Sequence, residues 1–328
     1  MFLQLIYDAL TQLSAPTLHY PVKAQTKTKT MTEPELCFIA CPDASGGHRM
    51  AYWHWGDPAA THVVLCVHGL SRQGRDFDVL ARALCARAGN RIRVVCPDVV
   101  GRGKSDWLKD PTGYQIPVYA GDMLALLAAL KPQTLDWVGT SMGGLVGVVV
   151  AGQPGLPLPA KLRRLVLNDV GPAIRWEAVE RIAAYLGKTG RFESLEQAAA
   201  AMLAISTSFG PHTPAQWLEL SRHMVKPVGD ASGALTLHYD PAIALPMRSV
   251  TRESITQGEA AVWQLYDAIQ AQTLLTRGAD SDVLTPETAL AMTQRGPRAR
   301  LVEFAGVGHA PTLVADDQVA CVTGFLLD

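Results

Sequence analysis

The sequence predicts an α/β chain: a mostly parallel central sheet flanked by helices, with one long helical insert. Three observations carry the prediction. Short apolar, β-branched runs alternate with longer runs of helical period, as in a sheet buried on both faces. The alternation stops between residues 168 and 272. Three of the strand runs end in glycine-containing turns that hold chemically useful residues.

In chain order, strands are expected at 50–55, 62–67, 92–96, 135–138, 165–167, 273–275 and 301–304. The runs His-Val-Val-Leu-Cys-Val and Ile-Arg-Val-Val-Cys have the near-continuous apolar character of central strands. Helices fall between them. Residues 77–87 put Phe77, Leu80 and Leu84 on one stripe, and 118–130 do the same with Met123, Leu126 and Leu127. Further helices at 285–293 and 318–327 follow the last two strands. The silent stretch after residue 168 is far longer than the ~12–15 residues a structureless loop normally reaches, so it must fold. Its runs 176–186, 195–205, 214–224 and 259–269 have helical spacing, with Ser194 and Thr213 as N-caps. The domain reading is an N-terminal extension and lead-in at 1–45, a core at 46–172 and 271–328, and a helical lid at 173–270. The Lys/Thr-rich stretch 22–30 reads as flexible, and Met31 as an alternative start.

Composition narrows the function. The 328 residues are 48% hydrophobic and 18% charged, which excludes global disorder. Lys+Arg number 29 against 30 Asp+Glu, and no basic run exists, so a nucleic-acid partner is not expected. No run of about 18 apolar residues is present, so no membrane span is expected. Cys37, Cys41, Cys66, Cys85, Cys96 and Cys321 form no CxxC pair and no Cys/His spacing for zinc, so neither a disulfide scaffold nor a metal is expected. Residues 1–10 lack a basic start and a small-residue cleavage site, which places the chain in the cytoplasm. No cofactor is called for. Oligomeric state is left open.

The chemistry sits at strand ends. Leu135-Asp136-Trp137-Val138 runs into Gly139-Thr140-Ser141-Met142-Gly143 and then an apolar helical run. In such a strand–turn–helix the serine is lifted clear of the sheet, the glycines relieve backbone crowding, and the helix aims its positive end at the hydroxyl. Residues 62–67 deliver His68-Gly69-Leu70, where backbone N–H groups can face a developing oxyanion while His68 is structural. Residues 301–304 lead to Gly306-Val307-Gly308-His309-Ala310-Pro311, which keeps a histidine on an irregular loop after the serine in chain order. His212, His223 and His238 have no metal-ligand spacing and read as surface or pocket-lining groups.

Together with Asp98-Val99-Val100-Gly101-Arg102-Gly103-Lys104-Ser105, these motifs resemble the α/β-hydrolase superfamily, from about residue 50 to the C-terminus. The resemblance implies an α/β-hydrolase fold with the lid inserted after the sixth strand, which 165–167 supplies. It implies Ser141 as nucleophile, His309 as base, Leu70 and Met142 as oxyanion N–H donors, and Asp282 as the acid that orients the histidine. Asp280 and Asp169 are alternative acids. Asp282 is preferred because Asp282-Val283-Leu284-Thr285-Pro286 matches an acid, an apolar anchor and a capped helix start, whereas Asp169, before Gly171-Pro172, reads as the turn into the lid. Ser141 at the elbow implies hydrolysis of a carboxylic ester or lactone through an acyl-enzyme, disfavouring the carboxylate-nucleophile relatives. Carbon–carbon bond hydrolases, perhydrolases and acyltransferases share this machinery, and a non-catalytic ligand receptor is the alternative of another class. The expected partner is a small, neutral acyl substrate in an apolar pocket walled by the insert.

Overall fold

The computed structural model describes residues 33–43 and 45–328. The readings made for 1–10, 22–30 and Met31 lie outside the described residues. A sheet of eight strands organises the chain: β1 (Glu35–Cys41), β2 (His48–Gly56), β3 (His62–Val67), β4 (Ile92–Pro97), β5 (Thr134–Thr140), β6 (Leu162–Asn168), β9 (Gln272–Gly278) and β10 (Arg300–Phe304). Their spatial order is β1-β2-β4-β3-β5-β6-β9-β10, antiparallel at β1–β2 and β2–β4 and parallel from there on.

Side chains divide between the two faces with the period of two that a strand imposes. Val63, Leu65, Val67, Leu135 and Trp137 belong to one buried cluster, together with residues of α2 (Ile116–Leu130) and α3 (Met142–Gly152). Val64, Cys66, Val138 and Val166 face the other way, against α1 (Asp78–Ala88) and α10 (Asp316–Leu327). Both faces are therefore covered. The chain passes from β3 to β4 on one side and then crosses to β5 on the other. The carboxyl ends of β3 and β5 thus form the switch point where doubly wound sheets place ligands.

Two observations bear on the expected domain boundaries. β1 lies within 1–45, read as a lead-in. It is an edge strand with several exposed or half-exposed residues, and Ile39 is its sole β-branched residue, so it lacks a central strand's signal. The segment after β6 holds α4 (Trp176–Tyr185), α5 (Leu195–Ile205), α6 (Pro214–Arg222), a ribbon of β7 (Val225–Pro227) and β8 (Leu235–Leu237), α7 (Ala244–Arg248) and α8 (Arg252–Asp267). Of these, α8 packs on α3 and sends Leu265 and Tyr266 into the main core. It packs with the main core. Ser194 and Thr213 cap α5 and α6 as expected, and α9 (Pro286–Gln294) begins at its Thr285 cap.

At the far side of the sheet from β10, His48 bridges two carboxylates: Nδ1 lies 2.8 Å from Asp43 and Nε2 3.0 Å from Asp122. Cys41, His48 and Asp122 also place one ligand atom each within 4.8 Å of one another, a grouping invisible in their spacing along the chain. Burial alone would push the His48 pKa down, but the hydrogen bonds and charges of Asp122 and Asp43 outweigh it and lift it to about 9. An unfolded histidine titrates near ~6.5. Stability contributed by protonated His48 is therefore fully present below about pH 6.5 and lost as pH rises through 9. Melting temperature measured from pH 6 to 10 should fall across this window, and His48→Gln should remove that part of the slope. Parallel curves for the two proteins would refute the assignment.

Candidate active site

Ser141 follows β5 directly and begins α3 with φ 51° and ψ −116°, a backbone conformation that is strained for any residue but glycine. What forces the turn is backbone proximity. A Cβ on Gly139 would run into the backbone of Gly143, and one on Gly143 into the carbonyl of Val67 on β3. The Trp137 indole N–H donates to the Gly143 carbonyl at 3.1 Å, tying the strand to the first turn of the helix. The elbow read from the sequence is present in the expected context of strand, turn and helix.

His309 Nε2 lies 2.9 Å from Ser141 Oγ, and Nδ1 lies 2.7 Å from Asp169 Oδ2. Asp169 is wholly buried and also accepts hydrogen bonds from the Gly278 N–H at 2.9 Å and the Ser281 hydroxyl at 2.6 Å. This arrangement fixes the imidazole as Nδ1–H donor to the carboxylate, with Nε2 facing the serine.

The structure sets Asp282, the acid preferred from the sequence, apart from the histidine. Asp282 makes no contact with His309; it forms a bidentate pair with Arg181 of α4 at 2.7 and 2.9 Å and stays half-exposed. Asp280 is exposed on the same loop. Asp169, the alternative read as a turn residue, stands at the end of β6, between the elbow of β5 and the loop after β9. The loop after β9 supplies its supports, Gly278 and Ser281, in place of the acid.

Sequence reasoning also missed Asn168. Its amide donates to Thr140 Oγ1 at 2.9 Å and to the Pro311 carbonyl at 2.8 Å, and accepts from the Thr276 hydroxyl at 2.8 Å. Its carbonyl accepts the Ser141 N–H at 3.0 Å. An asparagine closing the buried apolar run Leu165–Leu167 was the available signal, because a buried amide must find several partners. Ser208, from the segment after β6, grips the histidine loop: its hydroxyl donates to the His309 carbonyl, and its carbonyl accepts the Gly308 N–H.

Leu70 and Met142 flank the serine. Met142 opens α3, where N–H groups of the first turn have no acceptor within the helix. The Leu70 carbonyl is held by Nε of Arg102 at 2.8 Å; Arg102 is fully buried, also binds Val100 O and Tyr119, and lies 3.7 Å from Met142 Sδ. His68 donates from Nδ1 to Gly69 O and accepts the Val99 N–H at Nε2; burial pushes its pKa down to about 3, which keeps the ring neutral. Asp98 accepts N–H bonds from Gly74, Lys104 and the Trp53 indole, the structural role read for its loop. Beside the elbow opens a small cleft lined by Gly69, Arg72, Thr140, Pro311, Phe209 and Leu220 among others.

Residues 62–316 match the family model described as alpha/beta hydrolase fold. The chain belongs to the alpha/beta hydrolase family. This hydrolase is 50% identical over 293 residues to a 3-hydroxybutyrate-oligomer hydrolase of Cupriavidus necator, covering 89% of this chain and 97% of that protein. It is 26% identical to a 2-hydroxymuconate semialdehyde hydrolase of a Pseudomonas species, covering 83% and 88%. Among solved structures it is similar to an alpha/beta hydrolase of Novosphingobium aromaticivorans, with a TM-score of 0.75 and 32% identity over 90% of this chain and 99% of that one. Among the described residues of the hydrolase, no helix is long and apolar enough to cross a membrane.

The geometry ranks the three aspartates. Asp169→Asn should slow fluorophosphonate capture by Ser141 by about 10²–10⁴, because an amide no longer holds the required imidazole tautomer. Asp282→Asn and Asp280→Asn should stay within about tenfold of the parent. Mass-spectrometric labelling rates for the three variants decide the matter, and a greater loss at Asp282 would reverse the ranking.

Proposed function

We propose that this hydrolase cleaves ester bonds of short hydroxyalkanoate oligomers, of the 3-hydroxybutyrate kind, through Ser141, His309 and Asp169. The observation that carries the chemistry is the continuous relay from Asp169 through His309 to Ser141, at 2.7 and 2.9 Å. The substrate class rests on the 50% identity to the oligomer hydrolase across nearly all of that protein. His309 Nε2 takes the Ser141 proton as Oγ attacks the ester carbonyl. The Leu70 and Met142 N–H groups receive the oxyanion, and the emerging α3 adds its positive end. The imidazolium, stabilised by Asp169, returns its proton to the departing alkoxide. Water then releases the acyl group by the same route in reverse.

The residues from 173 to the start of α8 act as the lid in this reading. In support, Phe209 and Leu220 face Gly69 and Thr140 across the cleft, and Ser208 holds the histidine loop. Their apolar character suits a neutral acyl unit. A carbon–carbon bond hydrolase is less well supported, since such relatives stand at 26% identity.

Purified protein should release 3-hydroxybutyrate from its dimer and trimer, and Ser141→Ala should lower the rate by about 10⁴–10⁶. Liquid chromatography of the products checks both outcomes. Intact oligomers after incubation with enzyme that still captures a fluorophosphonate would dismiss the substrate class and leave the serine chemistry standing.

A further inference from the structure

We infer that Arg72 forms a carboxylate subsite in the wall of the cleft, taking the free acid end of the leaving hydroxy-acid unit; the inference rests on the ester-hydrolase reading above. Arg72 belongs to the same turn after β3 as Leu70. A Cβ placed on Gly69 would stand 3.8 Å from both Ser141 Cβ and Arg72 Cγ. Ser141 Cβ and Arg72 Cγ therefore both stand at ordinary contact distance from the place a side chain on Gly69 would take.

The guanidinium is held rigidly. Nε and Nη2 bind the two oxygens of Asp76 at 2.6 and 2.8 Å, and Nη2 also donates to the Leu220 carbonyl at 3.1 Å. The Phe209 ring lies 5.8 Å from its centre. These contacts use one edge of the fork. Nη1 has no protein acceptor among the described residues and is not sealed away from solvent. A side chain only 14% exposed thus keeps two N–H donors for something that enters the cleft. Among the described residues that line the cleft, Arg72 is the sole Lys or Arg.

The chemistry of the proposed substrate matches this placement. In a β-hydroxy-acid dimer, the carboxylate carbon lies four bonds from the scissile carbonyl carbon, a span of about 5 Å at ordinary bond lengths. With the acyl carbon at Ser141, that carboxylate enters the cleft that Arg72 lines with Gly69 and Thr140. Charge-assisted hydrogen bonds from Nη1 would hold it. Asp76 offsets most of the arginine's charge, so a single carboxylate is favoured over a dianion. Selection by charge on the alcohol side differs from the uniformly neutral substrate expected from composition, and it favours cleavage of the terminal unit.

The test separates binding from hydrolysis. Calorimetry on Ser141→Ala should show the dimer acid binding at least about tenfold tighter than its methyl ester, and Arg72→Gln in that background should erase the difference, as expected for one charge-assisted contact. Arg72→Lys, which keeps the charge without the fork, should retain part of it. In the Ser141 enzyme, the acid-to-methyl-ester ratio of kcat/KM should collapse in Arg72→Gln, with the loss on the acid carried mainly by KM. Equal binding of acid and methyl ester by Ser141→Ala overturns the subsite, as does a preference that survives Arg72→Gln. A binding preference that depends on Arg72 in a protein that leaves the dimer uncut would retain the subsite and reject the hydrolytic reading. If Arg72→Gln fails to fold, the Ser141→Ala comparison and Arg72→Lys decide the question.

Discussion

Everything at the site depends on how closely the first turn of α3 approaches the end of β3. Gly143 lies against the Val67 and His68 carbonyls with no room for a Cβ, and Gly139 lies equally close to the turn it begins. That contact leaves the backbone one way to turn from strand to helix, through a Ser141 held at positive φ. The strain is sustained because buried strands and an almost wholly buried helix surround it. It also brings the elbow against the turn after β3, where Gly69 lies close to Ser141.

A second constraint arises at β6. Asn168 and Asp169 are consecutive, so at the strand end their side chains serve different neighbours. Asn168 joins the elbow, β9 and the histidine loop through four hydrogen bonds. Asp169, at φ 57°, turns toward His309. The two residues divide the work: one fixes where the loops sit, and the other fixes which way the imidazole faces. Loss of either would move the reacting atoms, since tolerance in such constellations is a fraction of an ångström.

The strands, the elbow and His309 were legible in the sequence because each is specified locally. Short, near-continuous apolar runs mark the central strands, and glycines at fixed offsets define the turn. The acid was not legible, although its local pattern was read correctly: Thr285 does cap α9, with Pro286 in its first turn. The cap fixed the helix start and left the direction of Asp282 to its surroundings. Arg181, about a hundred positions away in sequence, drew that carboxylate outward. Asp169 reads as a turn because Gly171 and Pro172 follow it, although the chain there makes only a bend at Pro172. Its supports, Gly278 and Ser281, come from another strand end, a pairing that only sheet order creates. β1 escaped notice for a related reason: an edge strand needs little burial and carries little periodic signal.

The segment between β6 and β9 is tied to the site by polar contacts as well as apolar ones. Ser208 holds both sides of the peptide link at Gly308 and His309, and Leu220 lends its carbonyl to Arg72. A wall attached only through apolar side chains could slide without altering the relay. One that hydrogen-bonds to the backbone of His309 and to the Arg72 guanidinium in the cleft wall cannot shift without disturbing both. Pocket shape and the geometry of Asp169, His309 and Ser141 are therefore coupled. Substitutions in this segment should alter turnover together with selectivity, even where the altered side chain never touches substrate.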